Sequence, residues 1–179
     1  MKRLLLIVLP LLLIVGCSNK EELIPLVVRY EEDKRKQVSY INYYKKTGNK
    51  IEKVKSESYS KGGDLEYEYT YKDGKRDGLY TSWYNSGKVK GKGTYKVGEQ
   101  DGLWTWWYEN GQIEVEKTYK DGEGDGLWTW WYENGQKKKE GIYMDGGELN
   151  PSSIKCWDEV GNECECGRIY WDGSFSSCD

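Results

Sequence analysis

The residues that could do chemistry are few in kind. The 179-residue chain has no histidine, which removes the commonest general base and a frequent metal ligand. It has no Gly-x-Ser-x-Gly elbow and no Gly-x-x-x-x-Gly-Lys loop, the patterns that position a nucleophile or cradle a phosphate. No catalytic residue and no cofactor is assigned. Carboxylates are plentiful, but Asp77, Asp101 and Asp125 each precede a glycine at a fixed interval and read as turn residues. Calcium needs clustered carboxylate and carbonyl oxygens. No dense Asp-x-Asp loop occurs, so no metal is assigned.

Aromatic rings are the remaining chemistry. Trp104, Trp106, Trp128 and Trp130 fall by alternation on a strand face that mixes rings with charges and are the candidate binding residues, because a row of rings can stack on sugars or bury an apolar partner. Trp83, Trp107 and Trp131 form a second column, assigned to packing.

The N-terminus is an address. Lys2 and Arg3 precede an apolar run from Leu4 to Val15, interrupted by Pro10. Twelve residues are too few for a span of about 20 and fit a signal peptide over 1–16. Gly16-Cys17 closes the run and resembles a bacterial lipobox, which implies lipidation of Cys17. Residues 17–25 are then anchor and tether. The expected location is the cell envelope, with the membrane held through the lipid, and the outer membrane if the cell has one, since Ser18 rather than Asp follows the cysteine. The net charge is −3, and −5 once Lys2 and Arg3 are removed. No basic stripe supports a nucleic-acid partner.

Export gives the other cysteines a meaning. Cys156, Cys164, Cys166 and Cys178 are an even set and read as two disulfides; Cys-x-Cys with distant partners is a poor zinc site. Aligning Gly161 with Gly111 needs a two-residue insertion and places Cys156 opposite Cys164. That favours Cys156–Cys164 with Cys166–Cys178; a diagonal Cys156–Cys166 pairing is the alternative.

The elements that must position these residues follow from a 24-residue period. Three near-copies begin at Tyr71, Tyr95 and Tyr119, the second reading YKVGEQDGLWTWWYENGQIEVEKT, and a degenerate fourth begins at Tyr143. Such units bury their faces only against neighbours. The chain has no alanine, and Tyr, Trp, Thr and Gly dominate, which is strand and turn chemistry. Each unit reads as strand, tight turn, strand, and a longer Gly-rich turn. Glu109-Asn110-Gly111 is the expected three-residue hairpin loop, with glycine left-handed and Tyr108–Gln112 as the closing pair. Strict register then opposes Trp107 to Ile113, Trp106 to Glu114, Thr105 to Val115 and Trp104 to Glu116. One face carries Leu103, Thr105, Trp107, Ile113, Val115 and Tyr119 and is expected to be buried. The other carries Trp104, Trp106, Tyr108, Gln112, Glu114 and Glu116 and is expected to be wet.

The pattern Tyr-x-x-Gly-x-x-Asp-Gly-Leu-Trp/Tyr-Thr-x-Trp-Tyr-x-x-Gly resembles the bacterial variant of the MORN repeat. The likeness is close over 71–142 and loose over 143–173, and residues 43–70 look like a worn copy. It implies an all-β antiparallel meander without catalytic residues. The organisation expected is 1–16 signal peptide, 17–25 anchor and tether, 26–70 degenerate repeats, 71–142 three regular repeats, and 143–179 a degenerate repeat with a Cys-rich cap. The function expected is non-catalytic: a lipid-anchored surface that binds an envelope protein or glycan. The alternatives are a structural spacer and, because some relatives of the repeat are labelled antitoxins, an antitoxin or immunity-like inhibitor.

Overall fold

A computed structural model describes residues 23–29, 38–144, 147–167 and 178. The signal segment 1–16 and Cys17 lie outside the described residues. The elements are strands β1 (Leu23–Arg29), β2 (Val38–Thr47), β3 (Lys50–Tyr59), β4 (Leu65–Lys72), β5 (Lys75–Trp83), β6 (Val89–Lys96) and β7 (Glu99–Trp107). They continue with β8 (Ile113–Lys120), β9 (Glu123–Gly124), β10 (Gly126–Trp131), β11 (Lys137–Met144), β12 (Glu148–Leu149), β13 (Lys155–Trp157) and β14 (Glu163–Cys164). All belong to one antiparallel sheet in chain order, with short β9 and β12 as side pairings on β8 and β11. The fold is the all-β meander expected. The first strand begins at Leu23 and so takes in the last residues of the segment assigned to the tether.

Two kinds of turn alternate along the sheet. At one rim the Asn-Gly loops close as read from the sequence. Gly111 N–H donates to the Tyr108 carbonyl, Tyr108 N–H donates to the Gln112 carbonyl, both at 2.9 Å, and Gly111 has φ +92°. The same pair of bonds recurs around Tyr132 and Asp158, which confirms the two-residue insertion in the fourth copy. At the other rim the loops are tighter than expected. Asp73-Gly74, Val97-Gly98 and Asp121-Gly122 have positive φ at both positions, and their flanking residues pair directly, as in Lys72 with Lys75. These are two-residue type I′ turns, whose twist matches that of the strands.

The register differs from the strict one at a single residue per hairpin. Trp107 opposes Ile113, but Trp106 opposes Val115 and Trp104 opposes Lys117. Glu114 is the extra residue of a β-bulge, and Lys90 and Lys138 hold the same place in the neighbouring hairpins. Beyond the bulge every pairing slips by one. A slip of one exchanges faces, so Lys117 and Tyr119 join Trp104 and Trp106 on one face.

That face is the core, and the expected assignment of the two faces is corrected. Trp104 is 2% exposed, whereas Leu103, on the face expected to be buried, is 56% exposed. Thr105 beside Leu103 is buried as expected. The sheet has no second layer among the described residues, so the rings bury one another. Tyr69 packs on Tyr80, Tyr80 on Trp104, Trp104 on Tyr119, Tyr119 on Trp128 and Trp128 on Tyr143, with centroids 4.0–6.3 Å apart. Each such pair contributes about 0.5–1.5 kcal/mol beyond the area it buries. Glycine makes the room: a Cβ on Gly93 would stand 2.1 Å from the Trp104 indole, and one on Gly91 2.8 Å from that of Trp106.

The repeats are also joined through backbone acceptors. The Tyr84 hydroxyl donates to the Trp107 carbonyl at 2.7 Å, that of Tyr108 to Trp131 at 2.7 Å, and that of Tyr132 to Trp157 at 3.0 Å. Asn110 and Asn134 reach the next loop in the same way. At the opposite rim Asp77 accepts from Val97 N–H at 3.0 Å, so this aspartate anchors the following turn.

The cysteines form two disulfides, but not in the pairing favoured by the sequence. The bonds are Cys156–Cys166 and Cys164–Cys178. The backbone does oppose Cys156 to Cys164 and Cys166 to Cys178. Strand β14 ends at Cys164, however, so the ladder no longer holds the next residues in register. Cys166 thereby reaches a Cα separation of 5.3 Å from Cys156, inside bridging range, and Cys164 bonds Cys178 instead.

Candidate binding surface

The four candidate tryptophans share one face, but they do not share one role. Trp104 is core: its indole lies over Gly93, and its Nε1–H donates to the Thr94 carbonyl at 3.2 Å. Trp128 is half-buried and bonds likewise to the Thr118 carbonyl at 2.8 Å. Trp106 and Trp130 are half-buried and lie one step along the strand, nearer the Asn-Gly rim. Their rings flank the core pair, Trp106 5.6 Å from Trp104 and Trp130 6.1 Å from Trp128.

Two lysines complete this surface. Lys117 Nζ is 4.5 Å from the Trp128 centroid and 5.8 Å from those of Trp106 and Trp130. Lys139 Nζ is 4.7 Å from the Trp130 centroid. An ammonium over an indole face is attracted by the ring quadrupole, and the lysine stem covers ring area that a single sheet leaves open. Burial pushes the Lys117 ammonium below its ordinary range. Burial does the same to Lys139, with the neighbouring charges of Lys138 and Lys117 adding to the shift. The arrangement presents two indole faces with positive charge between them, suited to a group combining a flat or apolar surface with negative charge. Among the described residues, no group of three or more His, Cys, Asp or Glu could hold a metal ion.

Trp83, Trp107 and Trp131 are half-buried, and their carbonyls lie at the bulged ends of the hairpins. Cys17 lies outside the described residues. Lys117 and Lys139 were not singled out from the sequence as binding residues. The signal was present: Lys117 stands where the preceding and following repeats have Gly93 and Gly141, a long cation in place of the glycine that admits an indole.

Residues 76–96, 100–121 and 124–145 each match the family described as MORN repeat variant. The centre of the chain is a MORN-variant repeat array. The three matches begin just after the type I′ turns and run to the end of the return strands, so each corresponds to one hairpin. No curated protein matches the chain.

Proposed function

We propose that the protein is a non-catalytic, lipid-anchored MORN-repeat protein of the cell envelope, and that it holds an envelope partner on the Trp106–Lys117–Trp130 face. The observation that supports this reading is the placement of Lys117: a partly desolvated ammonium among three half-buried indoles. Indole surface gathered around a partly desolvated charge fits the aromatic-rich composition of interaction hot spots. Anchoring through Cys17 would keep the sheet close to such a partner.

The test uses the lipidated chain purified from its membrane. Trp106→Ala and Lys117→Met should each reduce the partner recovered by site-specific crosslinking, while leaving the melting temperature within a few degrees of wild type. Equal recovery with both variants would exclude this face. Cys17→Ser should abolish acylation measured by mass spectrometry, and a normally acylated mutant would remove the anchor from the proposal. A spacer would yield no crosslinked partner from any position. An antitoxin-like inhibitor would be recovered with a toxin.

A further inference from the structure

One cleft lies beside the face just described, three strands from Trp106 at the rim of the Asn-Gly loops. It has a volume of about 310 Å³ and is lined by Tyr67, Trp83, Tyr84, Asn85 and Glu109, with Glu66 and Lys90 at its sides. Its origin can be read from a departure in the first repeat. The later repeats place a large ring on the outgoing strand, Trp106 and Trp130, opposite small Gly91 and mid-sized Val115. The first repeat inverts this: Ser82 stands where the others have tryptophan, and Tyr67 supplies the ring from the opposing strand. Ser82 is 2% exposed, while Tyr67 is 39% exposed and lines the cleft. Lys90 is the bulge residue of the hairpin, and its Nζ lies 5.5 Å from the Tyr84 centroid. Glu109 comes from the next loop, which the Tyr84 hydroxyl and the Lys88 ammonium tie in place through the Trp107 and Glu109 carbonyls.

We propose that this cleft binds an uncharged pyranose unit of a glycan. Three aromatic side chains line the cleft, and the negative quadrupole of an aromatic ring suits the C–H face of a sugar. Around them stand an amide, two carboxylates and an ammonium, which together can accept from and donate to ring hydroxyls in several directions. The lining is too polar to serve as an apolar anchor pocket. Its charges, Glu66 and Glu109 against Lys90, sum to −1 and disfavour uronate or phosphorylated sugars. This separates the cleft from the cationic Lys117 face. The volume lies at the small end of the range for ligand sites and suits a terminal or single internal residue of a chain.

The experiment is calorimetric titration of the full lipidated chain in detergent with maltotriose, cellotriose and triacetylchitotriose, and with trigalacturonate as the acidic control. At least one neutral trisaccharide should bind with a millimolar or tighter Kd, and trigalacturonate should not. Trp83→Ala should weaken the neutral ligand by at least about tenfold, the scale of one lost ring at a hot spot. Asn85→Ala and Glu109→Ala lie on exposed loop positions, so they should weaken binding without changing the melting temperature. Trp106→Ala should leave sugar binding unchanged, which keeps this result distinct from the fate of the partner face. Three results would each overturn the proposal: no neutral trisaccharide binding, trigalacturonate binding as well as the neutral sugars, or loop variants that bind like wild type.

Discussion

At position 97 the chain puts valine in a backbone conformation that the neighbouring repeats give to aspartate. Asp73 and Asp121 have φ +48°, and Val97 has φ +53°. The left-handed region costs an L-residue about 1–2 kcal/mol, and branching at Cβ makes it worse, whereas Asn and Asp tolerate it. Val97 is also exposed, so its side chain recovers little by burial. Val97→Asn is therefore expected to stabilise the protein by about 1 kcal/mol, roughly 2–4 °C in a thermal melt for a chain of this size. An unchanged or lower midpoint would show that the turn is not held as described. Trp104 is the opposite case. Its ring is buried, bonded through Nε1 and packed on both sides. Trp104→Ala should cost about 3–5 kcal/mol, as for other large-to-small core changes, and guanidinium unfolding curves should show it. A loss as small as that from Trp106→Ala would contradict the difference in depth between the two rings.

At the scale of the element, strands β3 and β4 carry a charged cluster in line with the threonines of the later repeats, Glu57 falling in the row of Thr81 and Thr105. Glu57 is 8% exposed and accepts from the Tyr43 and Tyr59 hydroxyls, each at 2.7 Å, with Lys55 at 2.9 Å. Burial opposes its ionisation, but the hydrogen bonds from Tyr59, Tyr43 and Lys55 outweigh that and hold the carboxyl below its ordinary range. Burial and the bond to Glu57 push the Tyr43 phenol up to about 12. A depressed carboxyl pKa means that the stabilising contribution is fully present above the unfolded value, about 4.3 for glutamate, and is lost as pH falls through the folded one. Glu57→Gln should therefore flatten the acid limb of the stability curve below about pH 4. Parallel acid limbs for wild type and variant would remove Glu57 as the group responsible.

The hairpins themselves were legible in the sequence. Gly111 with Tyr108 and Gln112 announces its loop, and the 24-residue spacing announces the meander. The bulge was not legible. Glu114 looks like any polar strand residue, because a bulge is fixed by backbone geometry and cross-strand bonding, not by side-chain type. Missing that one residue reversed the faces, made Leu103 core and made Trp104 solvent-facing. The Trp83 cleft was hidden for a related reason: it depends on Tyr67 replacing the ring that Ser82 lacks, a compensation between strands that a single repeat does not reveal.

The whole molecule is asymmetric at its ends. The C-terminal strands are short, and Cys156, fully buried, is bonded to Cys166 while Cys164 is bonded to Cys178. Two covalent links close loops where the repeat has decayed, limiting the freedom of the unfolded chain. Cleavage after glutamate separates Cys156, Cys164 and Cys166, since Glu159, Glu163 and Glu165 lie between them. With the observed pairing, the fragment that begins at Cys166 joins both of the others in one unreduced species. With the opposed pairing, the first two fragments would join each other and the last would stand alone. Mass spectrometry of the unreduced digest separates these outcomes.

Because each hairpin touches only the next, the order of strands in space is their order in the chain. A tensile load applied between the two ends acts across the strands and falls on one hydrogen-bonded rung at a time, as in a zipper opened from its edge. Resistance to pulling is then set by single hairpins, not by the sheet as a whole. In an optical trap the regular array should lengthen in repeated steps of one unit, about 80 Å for 24 extended residues, at low force. A single rupture of the entire sheet would show that the stacked rings and tyrosine staples couple the units more strongly than their neighbour-to-neighbour geometry implies. The disulfide-bonded end should hold throughout, so a protein moored at Cys17 and gripped at its far end would behave as an extensible leash with a fixed clasp.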